Sequence, residues 1–340
     1  MNTLPAPATR RRVLALGAGA ALLGWAGWSS AAEAARSVRA SRALMGTQVD
    51  IAARDGDATS LRAATGAAFD RMAALAAAMS HYSPTSRVAA IKYAAGVQPV
   101  PVPRELMDVL QAARALSLRS GGVFDVTVGS LGVWDFDTAQ PHGPSDAFVR
   151  AHLPMVGWRH LQLDARAGTA FLDRRGMALD LGGIAKLYIL QAGLDTLRAH
   201  GVRTALVNGG GDVVAMSAAG AAPWRVGIRD PRAPQRMLAA LDVRQGFVAS
   251  SGDYERFVVQ DGRRHHHVLD PRTGQSTEGV HGVTLVGPEL EPVNGLGTAA
   301  MVLGQRAGRD FVERTAGVQG LIAGADGALW ISPGLRQRLG

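Results

Sequence analysis

The stretch Met177-Ala178-Leu179-Asp180-Leu181-Gly182-Gly183-Ile184-Ala185-Lys186 runs on through Leu187, Leu190, Leu194 and Leu197 to His200, and its change of period decides the fold. Met177–Leu179 reads as a short strand, Gly182-Gly183 as a tight turn, and Gly183 to His200 as a helix with its leucines on one face. Gly201 follows where a helix-ending glycine is expected. Upstream, Ala43–Ala52 has strand character, Asp57–Met79 reads as an Ala-rich helix, and Ser83-Pro84-Thr85-Ser86 is a turn. Pro103 then opens a helix to about Leu118. Short strands are expected at Leu161–Leu163, Thr169–Leu172, Thr204–Val207, Val213–Met216, Trp224–Ile228, Leu238–Val243, Phe247–Ser250, Arg256–Val259, Gly282–Val286, Gly320–Ile322 and Leu329–Ile331. Helices are expected at Gly295–Leu303 and Arg306–Thr315. Many strands with a few interspersed helices predict an α+β fold with antiparallel or mixed sheets. With no internal repeat and no low-complexity linker, residues 40–335 read as one compact unit.

The first residues read as a leader rather than as part of that unit. Thr9-Arg10-Arg11-Arg12-Val13-Leu14 is a twin-arginine pattern, Val13 to Trp28 is apolar, and Ala32-Glu33-Ala34 offers small residues for cleavage after Ala34. Residues 1–34 are therefore expected to direct export of the folded chain to the periplasm. The chain has 0 cysteines, which excludes disulfides and a lipid-attachment cysteine. No mature membrane span is expected. The net charge of +8 raises nucleic acid as a partner, but the arginines are scattered singly among acids, with one local cluster at Arg263-Arg264 and His265-His266-His267. No stripe or motif supports nucleic-acid binding.

Four segments carry chemistry. In Asp180–Lys186, two glycines let backbone N–H groups approach a ligand, a helix N-terminus favours phosphate, and Lys186 adds a full charge. Asn208-Gly209-Gly210-Gly211-Asp212 reads as a flexible hairpin or as backbone packed against a flat or anionic group. Ser250–Glu255 and then His266–Gly274 end in Asp270-Pro271-Arg272-Thr273-Gly274, a rigid turn where His267, Asp270, Arg272 and Thr273 converge. The three histidines invite zinc, but adjacent strand residues point to opposite faces, which argues against it. Asn294 and Thr298 are spaced to share one helical face; the plainer reading makes Asn294 an N-cap.

Taken in order, these segments resemble the ApbE family. Its landmarks are matched by Met45-Gly46-Thr47, Met79-Ser80-His81-Tyr82, Gly121–Gly129 with Asp125, Trp134-Asp135-Phe136, Asp180–Lys186, Asn208–Asp212, Ser251–Arg256, His267–Gly274 and Gly297-Thr298-Ala299. The resemblance implies a T-fold-like α+β architecture, FAD as substrate, and Mg2+-dependent transfer of FMN to a Ser or Thr of a target protein with release of AMP. The expected target is an acceptor flavoprotein of an exported electron-transfer system. It implies His267 as the catalytic base and Met45, Tyr82, Asp125, Asp180, Gly182, Gly183, Lys186, Asp270 and Thr273 as FAD-binding residues. It places the metal at a carbonyl of the Gly183–Ala185 turn, with Ala185 the expected ligand, and at Asn294 and Thr298.

The chain departs from the family pattern at the implied metal. Asn294 stands where the family usually has an aspartate, and Mg2+ prefers anionic oxygens. Glu289, Glu291 and Asp212 are candidates to compensate. Arg87 and Lys92 replace the common Glu and Asn, and Leu187 and Gln191 replace Gly and Asp in the main helix. Two rival readings follow: a flavin-binding accessory protein without transfer, and an Mg2+-dependent hydrolase that gives FMN and AMP.

Overall fold

The computed structural model describes residues 36–132, 143–254, 256–260 and 263–339. The leader and Trp134-Asp135-Phe136 lie outside the described residues.

In chain order the elements are β1 (Ser37–Leu44), β2 (Thr47–Arg54), α1 (Ala58–Met79), α2 (Arg87–Tyr93), β3 (Val100–Pro101), α3 (Arg104–Arg119), α4 (Asp146–His152), β4 (Leu161–Asp164), β5 (Thr169–Leu172) and α5 (Ala185–Ala199). The second half holds β6 (Thr204–Gly209), β7 (Asp212–Met216), β8 (Trp224–Asp230), β9 (Ala233–Val243), β10 (Gly246–Gly252), β11 (Phe257–Gln260), β12 (Arg263–His266), β13 (Val280–Gly287), α6 (Leu290–Val293), α7 (Leu296–Glu313), β14 (Gln319–Gly324), β15 (Leu329–Ile331) and α8 (Pro333–Arg336).

Eight strands form one sheet in the order β1-β2-β6-β7-β10-β13-β14-β15, and every neighbouring pair is antiparallel. Period-two alternation buries both faces. Ile51, Ala53, Ala205, Val207, Val214, Phe247 and Leu285 join the main core with α1, α5 and α7. Their neighbours Ala52, Leu206, Val213, Ala215, Val248 and Val286 join a second core, which Trp224, Val226, Ile228 and Leu241 of the β8–β9 hairpin complete. A sheet covered on both sides is a rigid platform, and the loops at its edges inherit that rigidity. The fold is α+β, as the sequence predicts.

Local differences have physical reasons. The expected single strand over Ala43–Ala52 is broken into a hairpin by Met45 (φ 54°) and Gly46 (φ 67°), two consecutive left-handed residues that reverse the chain. Met177–Leu179 is no strand: Met177 and Leu179 are buried without ladder partners, so burial there mimics strand patterning. The helices α2 and α4 escape the sequence reading because each is only 7 residues long; each is capped by a serine, Ser86 or Ser145. The helices expected on either side of Gly304 are both present within α7, interrupted at that glycine by a non-helical backbone (φ 79°).

Candidate active site

The turn that leads into α5 is held from below. The Asp180 N–H donates to the Val126 carbonyl at 2.7 Å, and Gly129 lies so close to Leu179-Asp180 that an added Cβ would meet three backbone atoms within 2.8 Å. Above, Asp180 Oδ1 accepts from the Gly182 N–H at 2.8 Å and from His81 Nδ1 at 3.3 Å. The Ile184 and Ala185 N–H groups donate to the Leu181 carbonyl. Gly183 is exposed, and its N–H has no partner among the described residues. Of the two glycines, Gly183 therefore has the N–H free for an incoming anion, while that of Gly182 is taken by Asp180.

The start of α7 closes on this turn. A Cβ at Gly183 would lie 3.1 Å from Thr298 Oγ1 and 3.3 Å from Phe124 Cε2, and the Gly183 carbonyl oxygen would lie 3.4 Å from a Cβ at Gly295. Asn294 is not the N-cap of α7; that position is Gly295, in a left-handed conformation, and Asn294 ends α6. Neither the Asn294 amide, in a residue 6% exposed, nor Thr298 Oγ1 makes a hydrogen bond among the described residues. Unspent oxygens on a buried Asn294 and a half-buried Thr298 beside a free carbonyl fit a hard cation.

A second wall comes from the large sheet. Lys186 Nζ pairs with Asp212 Oδ2 at 3.0 Å, and Asp212 Oδ1 accepts from the Ser250 N–H at 2.8 Å. Asn208 Oδ1 accepts from the Gly211 N–H at 3.1 Å and folds the glycine hairpin back on itself. Asp212 is thus committed to Lys186 and to β10. Glu289 and Glu291 line a different cleft, of about 420 Å³, with Arg119, Phe311 and Arg314. None of the three acids is grouped with other acids or histidines to hold a metal, and the described residues contain no such group.

His267 stands at the rim. Its Nδ1 donates to the Arg256 carbonyl at 3.4 Å; a carbonyl only accepts, so Nε2 keeps its lone pair. Burial pushes the imidazole down to about 4, the Arg256 carbonyl opposes this, and the charges of His266, Arg256 and Lys186 reinforce it. Solvent still reaches the residue, and the cations alone favour the neutral ring, so His267 is unprotonated at pH 7. Burial pushes the Asp180 carboxyl up, but the hydrogen bonds from His81 and from the Gly182 N–H outweigh it and hold Asp180 below the usual carboxylate range. The Arg256 guanidinium donates to the carbonyls of Met45 at 3.1 Å and Gly46 at 3.2 Å, tying the β1–β2 turn to the same rim.

The ApbE family model matches residues 45–322. The chain belongs to the ApbE family. Among its relatives, a FAD:protein FMN transferase of Treponema pallidum is 34% identical over 274 residues, covering 75% of each chain. One from Klebsiella pneumoniae is 37% identical over 191 residues, a match that spans 56% of this chain and 59% of that relative. The crystal structure of the ApbE protein from Thermotoga maritima superposes with a TM-score of 0.81 at 29% identity, covering 89% of this chain and 99% of that one.

Within this ApbE chain the predicted residues fall into two groups. Asp180, Gly182, Gly183, Ala185 and Lys186 share the turn into α5, and Thr298 stands against Gly183. Asn294 adjoins Gly295 beside the Gly183 carbonyl, and His267 lies close enough to Asp180 and Lys186 to interact electrostatically with both. The others are occupied elsewhere or peripheral. Asp125 accepts from Thr127 N at 2.8 Å and Oγ1 at 2.6 Å and from Trp158 N at 2.7 Å. Burial pushes its carboxyl up, against those hydrogen bonds; it fastens loops. Asp270 is paired with Arg272 at 2.7 Å, and Thr273 Oγ1 accepts from the Gln275 N–H at 3.2 Å, so both shape the turn after His267. Met45 offers its carbonyl to Arg256, and Tyr82 is 57% exposed. The sequence reading did not single out His81 or Arg256, although both lie inside quoted landmarks. A polar residue in an otherwise turn-like segment was the only signal.

Proposed function

We propose that this protein is a FAD:protein FMN transferase. The observation that carries the reading is the grouping, around the turn into α5, of a free Gly183 N–H, Lys186, the unspent oxygens of Asn294 and Thr298, and His267. Such a grouping suits a diphosphate and a hydroxyl nucleophile. The FAD diphosphate lies against Gly183 and Lys186. The acceptor Ser or Thr oxygen attacks the phosphorus of the FMN half, and its proton passes to His267 Nε2. The P–O–P bond breaks, and AMP leaves with the bonding electron pair. A water in the acceptor's place gives FMN and AMP by the same steps.

Mg2+ belongs to this proposal. The Gly183 carbonyl, Asn294 and Thr298, with a carbonyl of the turn at Ala185, would hold a hard oxygen-seeking ion. When bound, the ion neutralises phosphate charge. With Asn294 in place of a carboxylate, the chain itself contributes no negative charge, and the nucleotide must. That deficit motivates a second reading, in which the protein holds FAD without transferring it. The acceptor is proposed to be a flavoprotein of an exported electron-transfer system, and the twin-arginine pattern supports a periplasmic site of action. No helix among the described residues is long and apolar enough to cross a membrane.

The test incubates the purified protein with FAD, Mg2+ and a candidate acceptor domain, then reads covalent flavin fluorescence on a denaturing gel. A fluorescent acceptor band with stoichiometric AMP is expected. AMP without a band indicates the hydrolase, and bound but intact FAD indicates the accessory protein. Failure to bind any flavin overturns the reading.

A further inference from the structure

We propose that His81 is a positioning residue of the nucleotide site, acting through Asp180 to set the Gly182-Gly183 turn. This rests on the functional reading above. His81 follows α1 in a fixed loop: Ser80 Oγ accepts from the N–H groups of Tyr82 and Ser83, both at 3.2 Å. The loop aims the imidazole inward, with its side chain 15% exposed, and puts Nδ1 3.3 Å from Asp180 Oδ1. The same oxygen accepts the Gly182 N–H at 2.8 Å. One carboxylate oxygen thus joins the end of α1 to the turn that frees the Gly183 N–H for ligand.

The partner fixes the tautomer. A carboxylate only accepts, so Nδ1 carries the proton. The other nitrogen, Nε2, is buried and has no partner among the described residues. A residue kept for packing alone would do better without a buried, unsatisfied nitrogen. All of the polar work is therefore done at Nδ1. The Tyr82 ring meets that of His81 edge-on with centroids 3.9 Å apart. His81 thereby links Tyr82, an expected flavin contact, to the diphosphate turn.

The asymmetry between the two nitrogens supplies the test. An asparagine amide can occupy the place of Nδ1, whereas a glutamine amide reaches towards that of Nε2. Dissociation constants for FAD and for ADP, which has the diphosphate but no flavin, are measured on the full chain by calorimetry, with melting temperatures alongside. His81→Asn is expected to bind both within about threefold of wild type. His81→Gln and His81→Leu are expected to bind both about tenfold more weakly, with KM for FAD raised and kcat at saturation kept. Should the Leu variant fail to fold, the Gln variant carries the comparison. Wild-type affinity in the Gln variant, or equal losses in Asn and Gln, overturns the assignment while leaving the functional reading intact. A wild-type protein that binds neither ligand overturns both.

Discussion

Gly129→Ala tests whether the phosphate turn is set from beneath. The added Cβ would lie 2.5 Å from the Leu179 carbonyl carbon, 2.7 Å from the Asp180 nitrogen and 2.8 Å from the Leu179 oxygen. These are backbone atoms, so no rotamer change relieves the overlap. Ordinary contact begins near 3.4 Å, and a displacement of 3.4 − 2.5 = 0.9 Å is needed between the Val126–Leu131 turn and residues 179–180. The Asp180 N–H bond to Val126 resists it. Overpacking of this kind costs about 1–3 kcal/mol, or about 2–4 °C in Tm for each kcal/mol. A shift of that size also carries the Asp180 carboxylate out of register with His81 and Gly182, so FAD affinity is expected to fall with stability. Thermal melts and FAD titrations followed by flavin fluorescence read both quantities. Gly66→Ala is the control: Gly66 lies inside α1 with no atom within 4 Å of the added Cβ, and the change should stabilise by about 0.5–1 kcal/mol. A Gly129→Ala protein with the wild-type Tm and FAD affinity would refute the claim that this contact sets the turn.

His267→Ala is expected to abolish transfer while FAD binding persists. Because the neighbouring charges hold the ring below its ordinary value, the acid limb of kcat/KM should lie below the usual imidazole range. The sign for stability is the same: the unfolded ring titrates near 6.5, so the contribution is complete above about 6.5 and is lost as pH falls below it, readable in melts across that range. Asn294→Asp should lower the Mg2+ concentration needed for half-maximal activity at least tenfold, since a unit charge pair at about 4 Å gives about 4 kcal/mol at an effective dielectric of about 20. The same variant should melt lower in chelator and recover with Mg2+, because the new carboxylate sits at a position 6% exposed. Lys186→Met leaves Asp212 without its cation and should destabilise by about 1–3 kcal/mol; adding Asp212→Asn should restore Tm but not FAD binding, and restored binding would remove Lys186 from the site.

The sheet was legible because it is buried on both faces, and antiparallel strands write their burial as alternation: Ile51, Ala52 and Ala53 go to opposite cores in turn. Helices with a repeated leucine face were equally legible. Short capped helices such as α2 and α4 were not, since 7 residues do not establish a period. In the site, residue types in glycine-rich turns leave open what each segment does, and it is the resemblance to the ApbE family that groups the Asp180–Lys186 turn, Thr298 and His267 as one expected site. The sequence does not show how their hydrogen-bonding capacity is spent. Asp212 is drawn to Lys186 and Ser250, Asp125 to Thr127 and Trp158, and the Gly182 N–H to Asp180. Those pairings join segments that only the closed fold brings together. Once they are subtracted, the groups left for a ligand among the described residues of the predicted site include the backbone N–H of Gly183, the shared cation of Lys186, the neutral oxygens of Asn294 and Thr298, and the Nε2 lone pair of His267. The same subtraction explains why Asn294 matters more than a single conservative change suggests. Every carboxylate assigned to this cleft is already engaged, and none remains to replace the missing charge.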